Sequence, residues 1–185
     1  EVGPEDEVLD LGCGAGLIGL TAAARGARRV CGVDCDPAAV QAALENAERN
    51  RLHRFTARLG DWFVPVRGER FDVICANPPQ TPAPTPIRPD KWGGSDGATH
   101  LCAVIRAAPA FLRPGGRLYL MHISLANPHR VADVLGERFE VKVLGEEQRP
   151  FTFDEYDQIS PGLGRYLDEQ RARRRARARR SSGVA

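Results

Sequence analysis

The stretch EVLDLGCGAGLIGL, residues 7–20, carries an apolar strand through a glycine turn and straight into a helix. A strand that ends this way passes its chain to a crossover helix, and the next strand then lies parallel to the first. The order repeats. RVCGVD (29–34) reads as a second strand, and Asp36-Pro37 supplies a cap and a first-turn proline for a helix running to Asn50. FTARL (55–59) reads as a third strand. FDVICA (71–76), almost wholly apolar, reads as a fourth and central one. Beyond a proline-rich loop at 77–95, the spacing predicts a helix over about 97–112 with a kink at Pro109. PGG (114–116) turns the chain into a fifth strand, RLYLMHI (117–123). A helix at 127–138 and a sixth strand, FEVKVL (139–144), follow.

This alternation specifies an α/β fold: a Rossmann-like, doubly wound, mostly parallel sheet with helices on both faces. Residues 1–145 are expected to form that domain. Residues 146–170 read as a lid or packing segment, mainly loop with a short strand near Phe151–Phe153 and then a helix. Residues 171–185 read as a flexible Arg-rich tail. At 185 residues and 42% hydrophobic content, one domain can bury roughly 70% of its unfolded surface. No apolar run approaches the ~18 residues of a membrane span, and no signal peptide is visible. The chain starts without Met only a few residues before its first strand, so a trimmed domain lacking a recognition segment is expected.

The net charge of +2 hides an asymmetry: residues 171–185 hold seven Arg and no acid. The remainder carries 19 basic and 24 acidic side chains, a net of −5, which is unlike a general nucleic-acid binder. The tail reads either as a solvated end or as a nucleic-acid contact. The five cysteines form no C-x-x-C pair and the histidines are scattered, so neither a metal site nor a disulfide framework is expected. A reduced, cytoplasmic protein is the simplest reading.

The glycine loop fits two cofactors. Gly14, Gly16 and Gly19 satisfy G-x-G-x-x-G, with Asp34 twenty residues past Gly14 as in dinucleotide enzymes. Gly12, Gly14 and Gly16 equally satisfy the G-x-G-x-G of S-adenosylmethionine enzymes. What decides is Asn77-Pro78-Pro79-Gln80, directly after the fourth strand. In open α/β sheets the loops after strands one and four flank the ligand crevice. The prolines stiffen this loop and set an amide oxygen of Asn77 near the free carbonyl of Pro78. Two acceptors can grip both N–H bonds of a planar NH2 group and localise its lone pair for attack. A dehydrogenase has no use for such a bracket.

With these parts in place, the chain resembles the class I S-adenosylmethionine-dependent methyltransferases of the Asn-Pro-Pro branch. That branch includes release-factor glutamine methyltransferases, adenine amino-methyltransferases and rRNA methyltransferases of the "small" domain type. VLDLGCGAG, VDCDPAAVQAALENAERN, GDWF, FDVICANPPQ, GGSDG and LRPGGRLYL carry the resemblance over residues 5–145. It implies S-adenosylmethionine as cofactor, with Asp10, Gly12, Gly14 and Gly16 at its methionine part and Asp34 on the ribose hydroxyls. Asp61 is implied to accept from the adenine amine, with Trp62 or Phe63 against the ring. Asn77 and Pro78 are the implied catalytic pair. Pro79, Gln80 and Trp92 join Asn77 on the substrate side. The family usually has an aromatic residue where this chain has Gln80, which favours a polar small molecule over a nucleobase. The loop 81–95 and the aromatics Phe151, Phe153 and Tyr156 are candidate lids. The expected reaction is methyl transfer to a nitrogen. Protein glutamine, RNA and a small molecule remain open as acceptors, as does another use of the cofactor in specialised metabolism. From a different class, a nucleic-acid-associated module acting through its Arg tail also stays open.

Overall fold

Every residue of β1 (Glu7–Leu11) is buried, which is what a strand needs when parallel neighbours flank it on both sides. It pairs with β2 (Arg29–Asp34) on one side and β4 (Phe71–Ala76) on the other. β3 (Phe55–Leu59) pairs with β2, and β5 (Leu112–Leu120) pairs with β4. The computed structural model describes residues 2–86, 88, 90–150, 152–159 and 161–181. Among these the sheet has five strands, all parallel, in the order β3-β2-β1-β4-β5.

Side-chain alternation sends Val8, Val30, Val73 and Cys75 to one face, where they meet Ala22 and Ala23 of α1 (Leu17–Ala24) and Ala43 and Ala47 of α2 (Pro37–Arg49). Leu9, Leu11 and Ile74 point to the other face, and all three are fully buried. Small helix residues against branched strand residues allow close helix-to-sheet approach. α2 begins as expected: the Asp36 carboxylate accepts from the Ala38 N–H at 2.9 Å, and Pro37 occupies the first turn. α3 (Thr99–Ala107) buries Leu101, Cys102, Val104 and Ile105.

The chain divides into two compact units: residues 1–78 with 101–122, and residues 79–100 with 123–185. The first holds the whole sheet. Its foot, at the amino ends of the strands, is laced by ions. Glu7 pairs with Arg29 at 2.9 Å and with Arg113 at 3.2 Å, and Asp72 holds Arg113; Glu69 pairs with Arg29 and extends the network to Arg58, near the carboxyl end of β3. Burial works to raise Glu7, but its arginine partners outweigh it and the carboxyl ends below its usual value.

The second unit carries α4 (Pro128–Gly136), α5 (Phe153–Ile159) and α6 (Leu163–Ser181), with Leu163 and Leu167 buried. Four expectations change. The helix foreseen over 97–112 stops at Ala107, where Pro109 forces a 3-10 turn, Ala108–Ala110. PGG lies inside β5 as a bulge, since Phe71 pairs with Leu112 but Val73 with Arg117. FEVKVL (139–144) is not a strand, and all of it but half-buried Phe139 is exposed. The segment foreseen as loop or short strand near Phe153 is helix α5. Phe151, and the side chains of Phe153 and Tyr156 that suggested a lid, lie outside the described residues.

Candidate active site

β1 and β4 are neighbours with Leu11 opposite Ala76, so the chain leaves both strands at one level and continues as Gly12 and as Asn77. Parallel neighbours lie about 4.8 Å apart, so the two loops emerge side by side. The glycine loop is held at each turn. Gly12 and Cys13 both donate to the Val33 carbonyl, at 2.8 and 3.0 Å, and Gly16 donates to Cys13 at 2.8 Å. Gly12 (φ 74°) and Gly14 (φ 53°) adopt a left-handed backbone, and nothing stands within 4 Å of where a Cβ would project. That bare concave backbone leaves room for a ligand to approach closely.

Asp34, at the end of β2, is already oriented. One carboxylate oxygen accepts from Gly14 N–H at 2.8 Å and the other from Asp36 N–H at 3.0 Å. Each oxygen keeps a lone-pair site, and a pair of fixed acceptors suits a diol. The Asp34 carbonyl accepts from Gly60 N–H at 2.9 Å, which brings Asp61 and Trp62 to the same strand end. Asp61 is exposed and Trp62 half-buried, with Trp62 at a positive φ of 46°. Phe63, the other aromatic considered for the adenine ring, stacks on Phe111 with centroids 4.4 Å apart and is buried, so it serves the core. Asn77 is exposed and Pro78 buried.

Two further residues are already engaged within the protein. Asp10 is 1% exposed and accepts from Gly19 N–H at 2.7 Å. In the second unit, Gln80 is buried and its amide oxygen accepts from Ile123 N–H at 2.9 Å. That bond ties the Asn-Pro-Pro-Gln loop to the backbone at Ile123. The GGSDG turn closes on the same residue: a Cβ at Gly93 would lie 2.7 Å from the Gln80 Cα, and one at Gly97 would strike the Gln80 carbonyl. Trp92 is anchored, its indole N–H donating to the Ala83 carbonyl at 3.0 Å. Asp96 accepts from Asn127 at 2.9 Å and from Arg130 at 3.0 Å. Burial would raise its carboxyl, but those bonds hold it below the usual range.

Sequence reasoning missed Asn46, whose amide donates to the Ala15 carbonyl at 3.0 Å and ties the glycine loop to α2. The signal was available: Asn46 is a polar residue beside Ala43 and Ala47, on a helix that otherwise offers alanine to the sheet. Among the described residues no cluster of His, Cys, Asp or Glu has the arrangement of a metal site, and no helix is long and apolar enough to cross a membrane.

The pattern of the methyltransferase small domain matches residues 2–152. The chain belongs to that family. This methyltransferase is 34% identical over 152 residues to a Methanocaldococcus jannaschii chain provisionally named a protein N5-glutamine methyltransferase, covering 78% of the present chain and 76% of that one. It is 40% identical over 145 residues to a release factor glutamine methyltransferase of Cereibacter sphaeroides, covering 71% of this chain and 51% of the relative. It thus spans about three quarters of the first relative but only half of the second. Among solved structures, the T. thermophilus 16S rRNA N2 G1207 methyltransferase (RsmC), in complex with AdoMet and guanosine, is similar. Its TM-score is 0.58 at 31% identity, over 75% of this chain and 34% of that one. The Rossmann-like fold, S-adenosylmethionine as cofactor and methyltransferase activity are therefore shared properties of the family this chain joins. The open glycine cradle and the fixed Asp34 carboxylate fit that cofactor.

Proposed function

We propose that this methyltransferase acts on an amide or amine nitrogen held by Asn77 and Pro78. The observation that carries the reading is the adjacency of β1 and β4, with Leu11 opposite Ala76, which starts the cofactor loop and the Asn-Pro bracket side by side. Bound S-adenosylmethionine would supply an electrophilic methyl group on a sulfonium. Asp34 would hold the ribose diol, Asp61 the adenine amine and Trp62 the ring face. The Asn77 side-chain oxygen and the Pro78 carbonyl would accept the two N–H bonds of the acceptor. They would turn its lone pair towards the methyl group, whose bond to sulfur would break as the N–C bond forms, leaving a neutral thioether, and the proton made acidic by alkylation would leave to water. Catalysis of this kind rests on orientation and fixed dipoles. A protein glutamine amide is the acceptor class that the names of the relatives support.

A polar small molecule is the second reading, favoured by Gln80 in place of an aromatic plane after the prolines. The cysteines described as free thiols, Cys13, Cys31, Cys35, Cys75 and Cys102, suit a reducing cytoplasm.

The test is transfer of a labelled methyl group from the cofactor into a cell extract, separated into protein, RNA and small-molecule fractions, with wild type and Asn77→Ala compared. Asn77→Ala is expected to keep cofactor affinity and lose about a hundredfold or more in turnover. Normal turnover by a folded Asn77→Ala protein would overturn the nitrogen-directed mechanism.

A further inference from the structure

Helix α1 starts without a cap of its own. Its N-cap residue is Gly16, which has no side chain to accept a bond from the first turn. The missing acceptor comes from another element. Asp10, inside the sheet between Gly32 of β2 and Cys75 of β4, reaches the Gly19 N–H at 2.7 Å. Residue 19 must be glycine for this to happen, because a Cβ there would lie 2.7 Å from the Phe55 ring and 3.0 Å from the Asp10 carboxylate. Asp10 precedes the glycine loop by two residues and grips the chain three residues beyond it. The bond therefore closes the loop at both ends.

We infer that Asp10 is a positioning residue of the cofactor site: its buried carboxylate caps α1 from within the sheet and sets the glycine loop, without touching the cofactor. The inference rests on the family's use of S-adenosylmethionine and not on the identity of the acceptor. A 1% exposed side chain has no surface left to offer a ligand. The groups facing it are few. Asp34 stands at the end of the neighbouring strand, and the Cys13 and Cys75 thiols flank it, both pushed up to about 12 by burial first and by the Asp10 charge next. Burial, opposed by the Gly19 bond and reinforced by the Asp34 charge, raises the Asp10 carboxyl to about 6. Its charge therefore titrates near neutrality. A charged cap is roughly twice as strong as a neutral one, so protonation weakens the cap without abolishing it.

The experiment is calorimetric titration with S-adenosylmethionine from pH 5 to 8 for wild type, Asp10→Asn and Asp10→Ala. Results are read as ratios between proteins, so that the ligand's own amine cancels. Wild type is expected to lose about threefold in affinity as pH falls through 6. Asp10→Asn, which keeps the acceptor but not the charge, should lack that step and sit at the acid plateau of the wild type. Asp10→Ala should be about tenfold weaker or more, because the Gly19 N–H loses its partner. Three results would overturn the inference. Asp10→Asn could bind more than tenfold more weakly than wild type at pH 8, the mark of a direct charge contact with the cofactor. The step could survive in Asp10→Asn, which would assign the titration to another group. Or Asp10→Ala could match Asp10→Asn, which would make the cap irrelevant. Should Asp10→Ala fail to fold, the first two results still decide. No cofactor binding by wild type at any pH would overturn the cofactor assignment itself, and the inference with it.

Discussion

Asp34 meets two backbone donors before any ligand arrives, Gly14 N–H at 2.8 Å and Asp36 N–H at 3.0 Å, and so needs no reorganisation to receive a diol. Asp34→Ala removes both the proposed ribose acceptors and the loop tether. The expected loss is on the order of 3 kcal/mol, or about a hundredfold in cofactor affinity by calorimetry. Unchanged affinity would refute the ribose assignment. Asp10 one strand away has the opposite relation to stability. Its carboxyl rises from 3.8 to about 6 on folding, so the charged form disfavours the native state. The native protein holds the proton more tightly, and stability from this group is present below pH 4 and lost as pH rises through 6. Asp10→Asn should therefore stabilise the protein at pH 8 by on the order of 3 kcal/mol or less, with the gain vanishing near pH 4. Denaturant melts at the two pH values check this, and no gain at pH 8 would show that the carboxylate is better solvated than its burial implies. The sequence displays an acid ahead of the glycines at residue 10 and another at residue 34. What separates the two is burial, and burial is a tertiary property.

At the scale of elements, the strands that bury both faces were legible because a continuous apolar run bounded by turn residues has few alternatives. β1 to β4 begin and end where their composition says they should, and with them come the glycine loop, Asp34 and the Asn-Pro bracket. FEVKVL shows the limit of this logic. Its alternating, β-branched pattern satisfies the rule for a half-buried strand, yet a strand exists only where a neighbour accepts its hydrogen bonds, and periodicity says nothing about neighbours. Gln80 shows a related limit. A polar residue after two prolines reads as available for recognition, whereas the Ile123 N–H has claimed its oxygen and the GGSDG turn has closed on its backbone. Gln80→Tyr should thus lower the melting temperature as well as activity. Losing this part-buried bond to the Ile123 N–H costs about 1 kcal/mol before any overpacking. A fall in activity of tenfold with an unchanged melting temperature would instead restore Gln80 to the acceptor side.

Across the whole molecule, charge is sorted by position. An ion network pairs Glu7, Glu69 and Asp72 with Arg29, Arg58 and Arg113, all three carboxyls lying below their usual values, so this network supports the fold above about pH 4 and releases it in acid. The seven Arg of the last fifteen residues have no acid among them. The apolar anchors of α6, Leu163 and Leu167, both precede that run. A chain ending at Gln170 should keep its cofactor affinity and melt within about 2 °C of the full chain. A larger drop by scanning calorimetry would show that the Arg-rich turns contribute to the fold.

The central place of β1 has a consequence for how the molecule is made. Strand β1 must end with a neighbour on either side, β2 within the next two dozen residues but β4 only at residues 71–76. At typical synthesis rates the second neighbour arrives several seconds after the first. Until then one edge of β1, a strand buried along its whole length in the finished sheet, stays open. No hairpin can fill that edge in advance, because every pairing in the sheet is parallel and spans a crossover. The nascent chain therefore passes through an aggregation-prone stage that ends when residue 76 clears the exit tunnel, and holding chaperones should engage it most strongly just before that point.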